Sequence, residues 1–346
     1  MLRRRGALGG ARQGRKALAV PLCALAVILG PTGAAHAGTG GLTPVDQKSP
    51  NVERSTDIYY LILGFSGLIM LLVTVPLLIF IVRYRGRGRS REVEGAQIRG
   101  NTRLELAWTA LPVLILAVIA GFVFYKVPGI TDLEAEASGD SRLEIKVDGR
   151  QFYWQYRYPN DVIAIDTLRV PLGQVVELEI GAPESDVNHS FWIPALGGKF
   201  DAIPGETTRT SFRADEVGTY EGQCAEFCGV QHAAMLQAVE VMPRGEFETW
   251  LANEAGAQRR GASELGERTY QGACAKCHGM AGEGLIGPPL AGNSLLQDRD
   301  ALEMIVRNGQ GAMPAVGEGW EDRQMDALFR HLRRNVAGGS GAEDGS

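Results

Sequence analysis

Two long apolar segments constrain this chain more than any other feature of its sequence. Residues 58–82 form a run of 25 residues without a charged side chain, and residues 106–125 form a second run of 20. About 20 apolar residues are enough to cross the hydrocarbon core of a bilayer as a helix. Pro76 and Pro112 are compatible with such helices, because neighbouring groups satisfy the carbonyls that a proline frees. The sequence therefore predicts a transmembrane hairpin within residues 38–135.

The loop between the two spans predicts their orientation. It is rich in arginine, with Arg83, Arg85, Arg87, Arg89, Arg91, Arg99 and Arg103. Short arginine-rich loops stay in the cytoplasm, so everything after Tyr125 is expected on the other side of the membrane. Residues 1–37 predict the same topology, since a basic start, an apolar stretch and an Ala-x-Ala site ending at Ala37 are typical of a cleaved secretory signal. An uncleaved anchor is the alternative for this segment.

Glu105 lies at the predicted cytoplasmic end of the second span. A carboxylate in this position is either an interfacial anchor or part of an ion or proton pathway, because ionisable groups at membrane depth often serve transport. The residues alone leave both interpretations open.

The sequence pattern changes after the second span to short runs that alternate apolar and polar residues, bounded by Gly, Pro and Asp. Such runs predict the strands of an antiparallel β-sandwich or barrel in residues 141–243. The clearest are residues 143–147, 174–180, 208–212 and 237–241.

A short loop before the last of these runs contains soft metal ligands. It has two thiols, an imidazole and a thioether, from Cys224, Cys228, His232 and Met235. This set suits copper rather than magnesium or calcium, and His189 is the candidate for a further ligand. A disulfide, or two buried free cysteines in an exported domain, is the alternative.

Two cysteines distinguish this site from a mononuclear blue-copper site, which has one. Two bridging thiolates would hold a pair of copper ions, with one histidine and one weak axial ligand for each ion. Met235 and the backbone carbonyl of Glu226 could supply the axial positions. Such a site leaves no position open for a substrate, which indicates electron transfer rather than bond-making chemistry.

The second cysteine pair lies in Cys274-Ala-Lys-Cys277-His278. Cys-x-x-Cys-His is the attachment signature of a c-type haem, with the histidine as axial ligand. A redox dithiol and half of a zinc site are the alternatives, but no further cysteine pair follows to complete a zinc site.

A sixth iron ligand is expected from a methionine further along the chain. Met313 lies in a glycine-rich loop ahead of a proline, and Met/His ligation would raise the haem potential. Met280 is too close to the histidine to reach the opposite face. Met304 and Met325 lie in helical patterns and are predicted to be core residues. Helices are predicted at residues 264–270, 301–306 and 321–335.

The stretch from Asp57 to Met242 resembles subunit II of the haem–copper oxidases. The motifs that carry the resemblance are the hairpin, residues 149–154, 186–194 and 198–205, and the cysteine loop. It implies a cupredoxin-like all-β sandwich and a binuclear CuA centre, with the Glu226 carboxylate at a magnesium ion shared with subunit I and Glu105 at the entrance of a proton channel. The implied copper ligands are His189, Cys224, the carbonyl of Glu226, Cys228, His232 and Met235.

Residues 263–336 resemble an all-α class I cytochrome c domain. Residues 287–292 match its proline loop, which implies that the Pro288 carbonyl holds the imidazole of His278. Residues 244–262 are predicted to be a short helix and linker, and residues 337–346 a disordered tail. The expected whole is a multidomain membrane protein with a hairpin, a copper domain and a haem domain.

The aromatic run of the copper domain departs from the family pattern at one position. Electrons from soluble cytochrome c usually enter at a tryptophan, where this chain has Phe152, whereas Tyr153 and Trp154 match. The chain is therefore expected to receive electrons from its own haem.

The resemblance implies a function as subunit II of a caa-type oxidase in a bacterial cell membrane, with both cofactor domains outside. Electrons would pass from the haem to the copper pair and to haem a of subunit I, where oxygen is reduced with proton translocation. The implied partners are subunits I and III and an upstream cytochrome or bc complex. Nucleic acid is not expected, given a net charge of -5 and no basic patch. A CuA-bearing nitric oxide or nitrous oxide reductase and a copper-delivery protein are the alternatives.

Overall fold

The computed structural model describes residues 45–85, 97, 99–131, 133, 142–261 and 264–336. The predicted signal segment, the middle of the arginine-rich loop and the glycine-rich tail lie outside the described residues.

Two long helices contain the predicted spans. Helix α1 is Pro50–Arg83 and helix α2 is Thr102–Lys126, and a short turn α3, Pro128–Thr131, follows. Side chains cap both helix starts: Ser49 accepts a hydrogen bond from the backbone of Asn51, and Asn101 accepts one from Leu104. Both helices are long and apolar enough to cross a membrane, and no other part of the described chain covers their apolar segments.

The start of α1 ties the hairpin to the β domain. The helix begins ahead of the predicted span, and its first residues are buried rather than lipid-facing. The side-chain amide of Asn51 donates to the carbonyl of Ile130 at 2.6 Å and to that of Ser211 at 3.0 Å. Lys126 forms an ion pair with Asp57 at 2.6 Å between the two helices. The outer end of the hairpin is therefore fixed to the copper domain.

Replacement of Asn51 by alanine is expected to loosen this attachment. The variant leaves the carbonyl of Ser211, in a buried contact, and that of Ile130, in a part-buried one, without their donor, at a cost of about 1–3 kcal/mol. A lower Tm of the purified full chain in detergent would show the loss. Asn253→Ala, at an exposed position, is the matched control and is expected to change stability by less than about 0.5 kcal/mol. Equal Tm values for the two variants would contradict the attachment.

The middle domain is a sandwich of two five-stranded sheets. One sheet has the order β3-β2-β1-β5-β8, and the other has the order β4-β10-β9-β6-β7. The strands are β1 Leu143–Arg150, β2 Tyr153–Arg157, β3 Ile163–Ile165, β4 Thr167–Pro171, β5 Val175–Gly181, β6 His189–Trp192, β7 Lys199–Ala202, β8 Thr208–Arg213, β9 Gly218–Cys224 and β10 Leu236–Met242.

The prediction of a purely antiparallel sandwich is wrong for two strand pairs. Strand β1 pairs with β5 in parallel, with Leu143 opposite Val176, and β10 pairs with β4 in parallel, with Ala238 opposite Thr167. Both pairs join strands that are far apart in sequence and whose connection passes through the opposite sheet. The alternation of apolar and polar residues along a strand identifies the strand, but it does not show which distant strand pairs with it or in which direction.

The segment predicted as a short helix and linker is almost entirely helical and packs on the copper domain. Helix α4, Arg244–Arg259, buries Phe247 and Ala255. The ring of Trp250 lies 5.3 Å from that of Tyr158. Gln258 at its end exchanges hydrogen bonds with the backbone of Ile163, at 2.7 and 3.1 Å. The helix is therefore part of the copper domain rather than a flexible tether.

Short helices build the last domain. They are α5 Leu265–Thr269, a π-helical turn Tyr270–Cys274, α6 Ala275–His278, a 3₁₀ turn Ser294–Gln297, α7 Arg299–Asn308 and α8 Asp322–His331, which continues as a π-helical turn Leu332–Val336. The three predicted helices are confirmed. Helices α5 and α8 cross so closely at Gly266 that a Cβ there would collide with the backbone carbonyl of Ala327. Glycine, which has no Cβ, allows this approach.

Candidate copper site and haem-attachment site

The structure brings the six predicted copper ligands together at one end of the sandwich. Cys224 ends β9 and His189 begins β6, so neighbouring strands of one sheet position them. Cys228 and His232 lie in the following loop, and Met235 directly precedes β10. Strand β9 was missed by the sequence analysis, because its glycines and its mostly exposed alternation give a weak strand pattern.

Distances within the cluster are those of groups facing a common centre. The two Sγ atoms of Cys224 and Cys228 are 4.0 Å apart. Nδ1 of His189 lies 3.9 Å from Cys224 Sγ, and Nδ1 of His232 lies 3.6 Å from Cys228 Sγ. The weaker ligands complete the set: the carbonyl oxygen of Glu226 is 3.2 Å from Cys224 Sγ, and Sδ of Met235 is 3.8 Å from Cys228 Sγ.

The surroundings orient the ligands and keep water away. His189 and Met235 are fully buried, and both cysteines are nearly so. Nε2 of His189 lies 3.1 Å from a carboxylate oxygen of Asp186, which leaves Nδ1 for a metal. A Cβ at Gly149 would lie 3.0 Å from the Cβ of His189, so a side chain at this position would crowd the ligand.

The contact between the two sulfurs affects the pKa values of the two thiols in opposite directions. It lowers the pKa of Cys224 and, together with burial, raises the pKa of Cys228 above its usual range. Cations between the two sulfurs would remove the repulsion that opposes the second thiolate. Both cysteines are buried and free of disulfide bonds, so the disulfide alternative is wrong.

The donor set and its geometry fit a pair of copper ions. Two thiolates lie centrally, with one imidazole beside each, and a thioether and a carbonyl complete the site. The side chain of Glu226 points to solvent at an exposed position. Its predicted contact with magnesium at a subunit interface stays a prediction.

The haem-attachment residues also have the expected arrangement. Cys274 is buried and Cys277 is half-buried, on the π-helical turn and α6. Nδ1 of His278 lies 2.7 Å from the carbonyl oxygen of Pro288, as the resemblance implied, which leaves Nε2 for iron. A Cβ at Gly287 would lie 2.8 Å from Cε1 of His278, so only glycine fits beside the ring.

Burial disfavours a redox dithiol at this cysteine pair. It raises the pKa of Cys274 to about 12, whereas a redox dithiol needs an accessible thiolate. The pair therefore fits covalent attachment of a haem through two thioethers.

The methionines of the haem domain differ in their burial. Met313 is half-buried and packs against the same apolar cluster that contains Cys274. Its backbone exchanges two hydrogen bonds of 3.0 Å with Gln310, which fixes the loop. Met325 is fully buried, as predicted, but the prediction that Met304 is a core residue is wrong: it is 60% exposed on α7. Met280 is also exposed, and the sixth-ligand assignment to Met313 stays a prediction.

The haem-attachment segment lies directly against the copper loop. Gln231, next to the ligand His232, donates from its side-chain amide to the carbonyl of Lys276 at 2.9 Å. The ammonium group of Lys276 donates to the carbonyl of Phe152 at 2.7 Å and to Asp166 at 3.1 Å. These residues could not be predicted from the sequence, because lysine, glutamine and aspartate at single positions form no motif.

The aromatic run is divided between the two domains. Phe152 and Trp154 belong to the core of the copper domain, and the ring of Trp154 lies 6.1 Å from that of His189, edge to face. Tyr153 belongs to the apolar core of the haem domain. Its hydroxyl donates to the carbonyl of Val316 at 2.7 Å and accepts from Trp320 at 2.8 Å. Successive side chains of β2 point to opposite faces of the strand, so β2 contributes side chains to the cores of both domains.

Buried polar contacts extend the same interface. Arg150, which is 5% exposed, donates to the carbonyl of Glu318 at 2.6 Å, and Gln324 donates to Gln155 at 2.9 Å. Such contacts are typical of domains that stay together rather than of a passing encounter.

Glu105 lies in the first turn of α2 and is exposed in the described part of the chain. Its carboxylate accepts a hydrogen bond from the backbone of Asn101 at 3.2 Å. This contact stabilises the helix start and fits either of its proposed roles, so proton entry stays a prediction.

A membrane hairpin, a cupredoxin-like copper domain and a c-type cytochrome domain define a membrane-anchored electron-transfer subunit. Protein-family models match all three parts: "Cytochrome C oxidase subunit II, transmembrane domain" over residues 38–125, "Cytochrome C oxidase subunit II, periplasmic domain" over 163–242, and "Cytochrome C oxidase, cbb3-type, subunit III" over 261–332. The chain belongs to the cytochrome c oxidase subunit II family.

Relatives with that name match most of the chain. Cytochrome c oxidase subunit 2 of Alkalihalophilus pseudofirmus is 33% identical over 86% of this chain and 91% of its own length. Cytochrome c oxidase subunit 2 of Thermostichus vulcanus is 32% identical, over 61% of this chain and 77% of its own. A solved structure, the periplasmic domain of subunit II from Bradyrhizobium japonicum, is 32% identical and covers 34% of this chain and 96% of its own, with a TM-score of 0.32.

Family membership accounts for the general features of the molecule. The protein is a membrane subunit of a haem–copper terminal oxidase and a partner of subunit I, with copper and haem c as its cofactors. Its copper domain is extracytoplasmic.

Proposed function

We propose that this chain is the electron-input subunit of a bacterial caa-type oxidase and that its own haem feeds its copper pair. Cys274, Cys277, His278 and Met313 would hold the haem, and the six copper ligands would hold the two ions. Both groups supply reversible one-electron chemistry. The electron then leaves for haem a of subunit I, where oxygen is reduced with proton translocation.

The contact between the haem-attachment segment and the copper loop carries this proposal. Lys276 is the neighbour of Cys277, and Gln231 is the neighbour of His232. A single hydrogen bond of 2.9 Å joins these two residues. The path from the haem cysteine to the copper ligand therefore consists of covalent bonds and this one hydrogen bond. No solvent layer separates the two segments at this point.

The copper site itself favours electron transfer. The six candidate ligands would leave no open position at two copper ions, and the buried ones are held by strands and by the Asp186 contact. A site fixed in this way would change little between its oxidation states. This arrangement argues against an exchangeable site for copper delivery.

The position at which a soluble donor would reach the copper domain is enclosed and lies next to the haem-attachment segment. The ring of Phe152 is buried, with 6% of the residue exposed, and its carbonyl is bonded to Lys276. An external cytochrome or bc complex would therefore deliver its electron to the haem domain. Docking of the two domains in one chain replaces a diffusional encounter by an intramolecular step.

We assign the remaining features by the same proposal. The arginine-rich loop faces the cytoplasm of a bacterial cell, and both cofactor domains lie outside the cytoplasmic membrane. Subunit III is a further partner. Glu226 shares a magnesium ion with subunit I, and Glu105 admits protons.

Cofactor content tests the proposal. The purified oxidase is expected to contain two copper ions and one covalent haem in this chain, and its copper signal is expected to change when the haem is reduced. A chain without copper, or with a haem that is not covalently attached, would overturn the proposal.

Phe152→Trp is not expected to open a direct route from soluble cytochrome c to copper. The position is enclosed, and a Cβ at Gly229 would already lie 3.1 Å from the Phe152 ring. The larger side chain is instead expected to destabilise the copper domain by about 1–3 kcal/mol. Stopped-flow mixing with reduced soluble cytochrome c would still show reduction of the haem before copper. Reduction of copper before the haem would contradict the claim that a soluble donor has no direct access to the Phe152 position.

A further inference from the structure

Lys276 lies between the two haem-attachment cysteines, yet its side chain reaches into the copper domain. Its ammonium group donates to the carbonyl of Phe152 at 2.7 Å and pairs with Asp166 at 3.1 Å. The side chain is only 18% exposed, and that of Asp166 is 27% exposed. Ion pairs shielded in this way are screened less by salt than surface pairs.

The surrounding backbone fixes the position of Asp166, the partner of the Lys276 ammonium group. The residue has a left-handed backbone conformation, with a φ of 54°, which aspartate tolerates better than most residues. Its carboxylate accepts a hydrogen bond from the backbone of Trp154 at 2.8 Å, and its carbonyl accepts one from Ala238 at 2.9 Å. Both sheets of the sandwich therefore fix the position of the acceptor.

Two further contacts fix the backbone around Lys276. The side-chain amide of Gln231 donates to the Lys276 carbonyl at 2.9 Å. A Cβ at Gly272 would collide with Ile165 and would lie 3.2 Å from the Asp166 carboxylate, so the segment before the cysteines is pressed onto the same surface. These contacts thus fix the position of the attachment segment on the surface of the copper domain.

We propose that Lys276 is the positioning residue of the junction, and that Phe152, Asp166 and Gln231 form a receptor for it in the copper domain. The contact sets the orientation of the haem-attachment segment relative to the copper loop and prevents another cytochrome from occupying the same surface. The inference rests on the proposed function, because it assigns the residue that holds the donor and acceptor segments together.

Hydrogen exchange of the assembled oxidase tests the positioning role without using activity. In Lys276→Met, amides of residues 264–278 are expected to exchange about tenfold faster, because the opening of the junction no longer breaks a charge-assisted hydrogen bond. Lys276→Arg keeps the charge and is expected to restore most of the protection. Lys146→Met, at an exposed lysine on β1, is the matched control and is expected to leave exchange unchanged.

Asp166→Asn removes the same ion pair from the copper-domain side and leaves the haem-attachment motif intact. The test therefore does not depend on haem loading of the Lys276 variant. Faster exchange in both Lys276→Met and Asp166→Asn supports the proposal, whereas exchange equal to that of the unaltered protein in both variants overturns it.

Flash reduction of the haem provides the second measurement. In the unaltered protein copper is expected to be reduced in one fast phase, and in Lys276→Met part of this phase is expected to be lost and replaced by a slower one. An unchanged fast phase in that variant would overturn the positioning role alone. Failure of the haem to reduce copper in the unaltered protein would overturn the proposed function instead. The hydrogen-exchange data would still test the role of Lys276 at the contact between the domains.

Discussion

Cys224→Ser is expected to abolish oxygen consumption by membranes that contain the assembled oxidase. The Cys224 sulfur lies 4.0 Å from that of Cys228, 3.9 Å from His189 and 3.2 Å from the Glu226 carbonyl, at the centre of the donor set. A hydroxyl is a poor substitute for a thiolate ligand, so the proposed site is expected to lose its copper. Because even changes outside the ligand sphere cost 10–100-fold in metal affinity or activity, a loss of about 100-fold or more is expected.

The haem provides an internal check in the same experiment. The variant is expected to retain its covalent haem, since Cys274 and Cys277 are unaltered, and this haem stays reduced when donor is supplied. Cys23→Ser, in the predicted signal segment, is a matched cysteine control with unaltered respiration. Full respiration in the Cys224 variant would place copper outside the electron path.

Met313→Ala is expected to lower the reduction potential of the haem while leaving it covalently attached. A thioether ligand raises haem potentials, and axial ligands set them over a range of about 0.8 V, so a fall on the order of 100 mV is expected. About 59 mV corresponds to a tenfold change in the equilibrium of a one-electron couple. A redox titration of the purified protein measures the change directly.

Met304→Ala is the matched control for this titration. Met304 lies on α7 of the same domain but is 60% exposed, so its removal is expected to leave the potential unchanged. An unchanged potential in Met313→Ala, or a fall of equal size in both variants, would show that another group is the sixth ligand.

The candidate copper and haem residues could be recognised in the sequence because their chemistry is specific to their residue types. Two closely spaced cysteines with a histidine and a methionine have few roles other than metal binding, and Cys-x-x-Cys-His has few roles other than haem attachment. The structure brings the copper candidates together and places His278 beside Pro288, whereas their roles as ligands stay predictions. The apolar spans were equally clear, since length and the absence of charge define them.

The junction between the domains could not be predicted in the same way. Lys276 and Asp166 are charged residues that most often face solvent, and only the tertiary arrangement brings them together. Helix α4 was predicted too short, because Phe247 and Trp250 give an apolar face whose partner, Tyr158, lies in a distant loop. The parallel strand pairs were missed for the same reason: nonlocal pairing leaves no local pattern.

In the proposed path, electrons reach the copper pair from the haem of the same chain. The most direct measurement is the rate of copper reduction after rapid photoreduction of the haem, followed in the purified oxidase over a range of protein concentrations. The haem is expected to be reoxidised at the rate at which copper is reduced, and this rate is expected not to depend on protein concentration. A rate that rises in proportion to protein concentration, or a haem that stays reduced while copper stays oxidised, would contradict it.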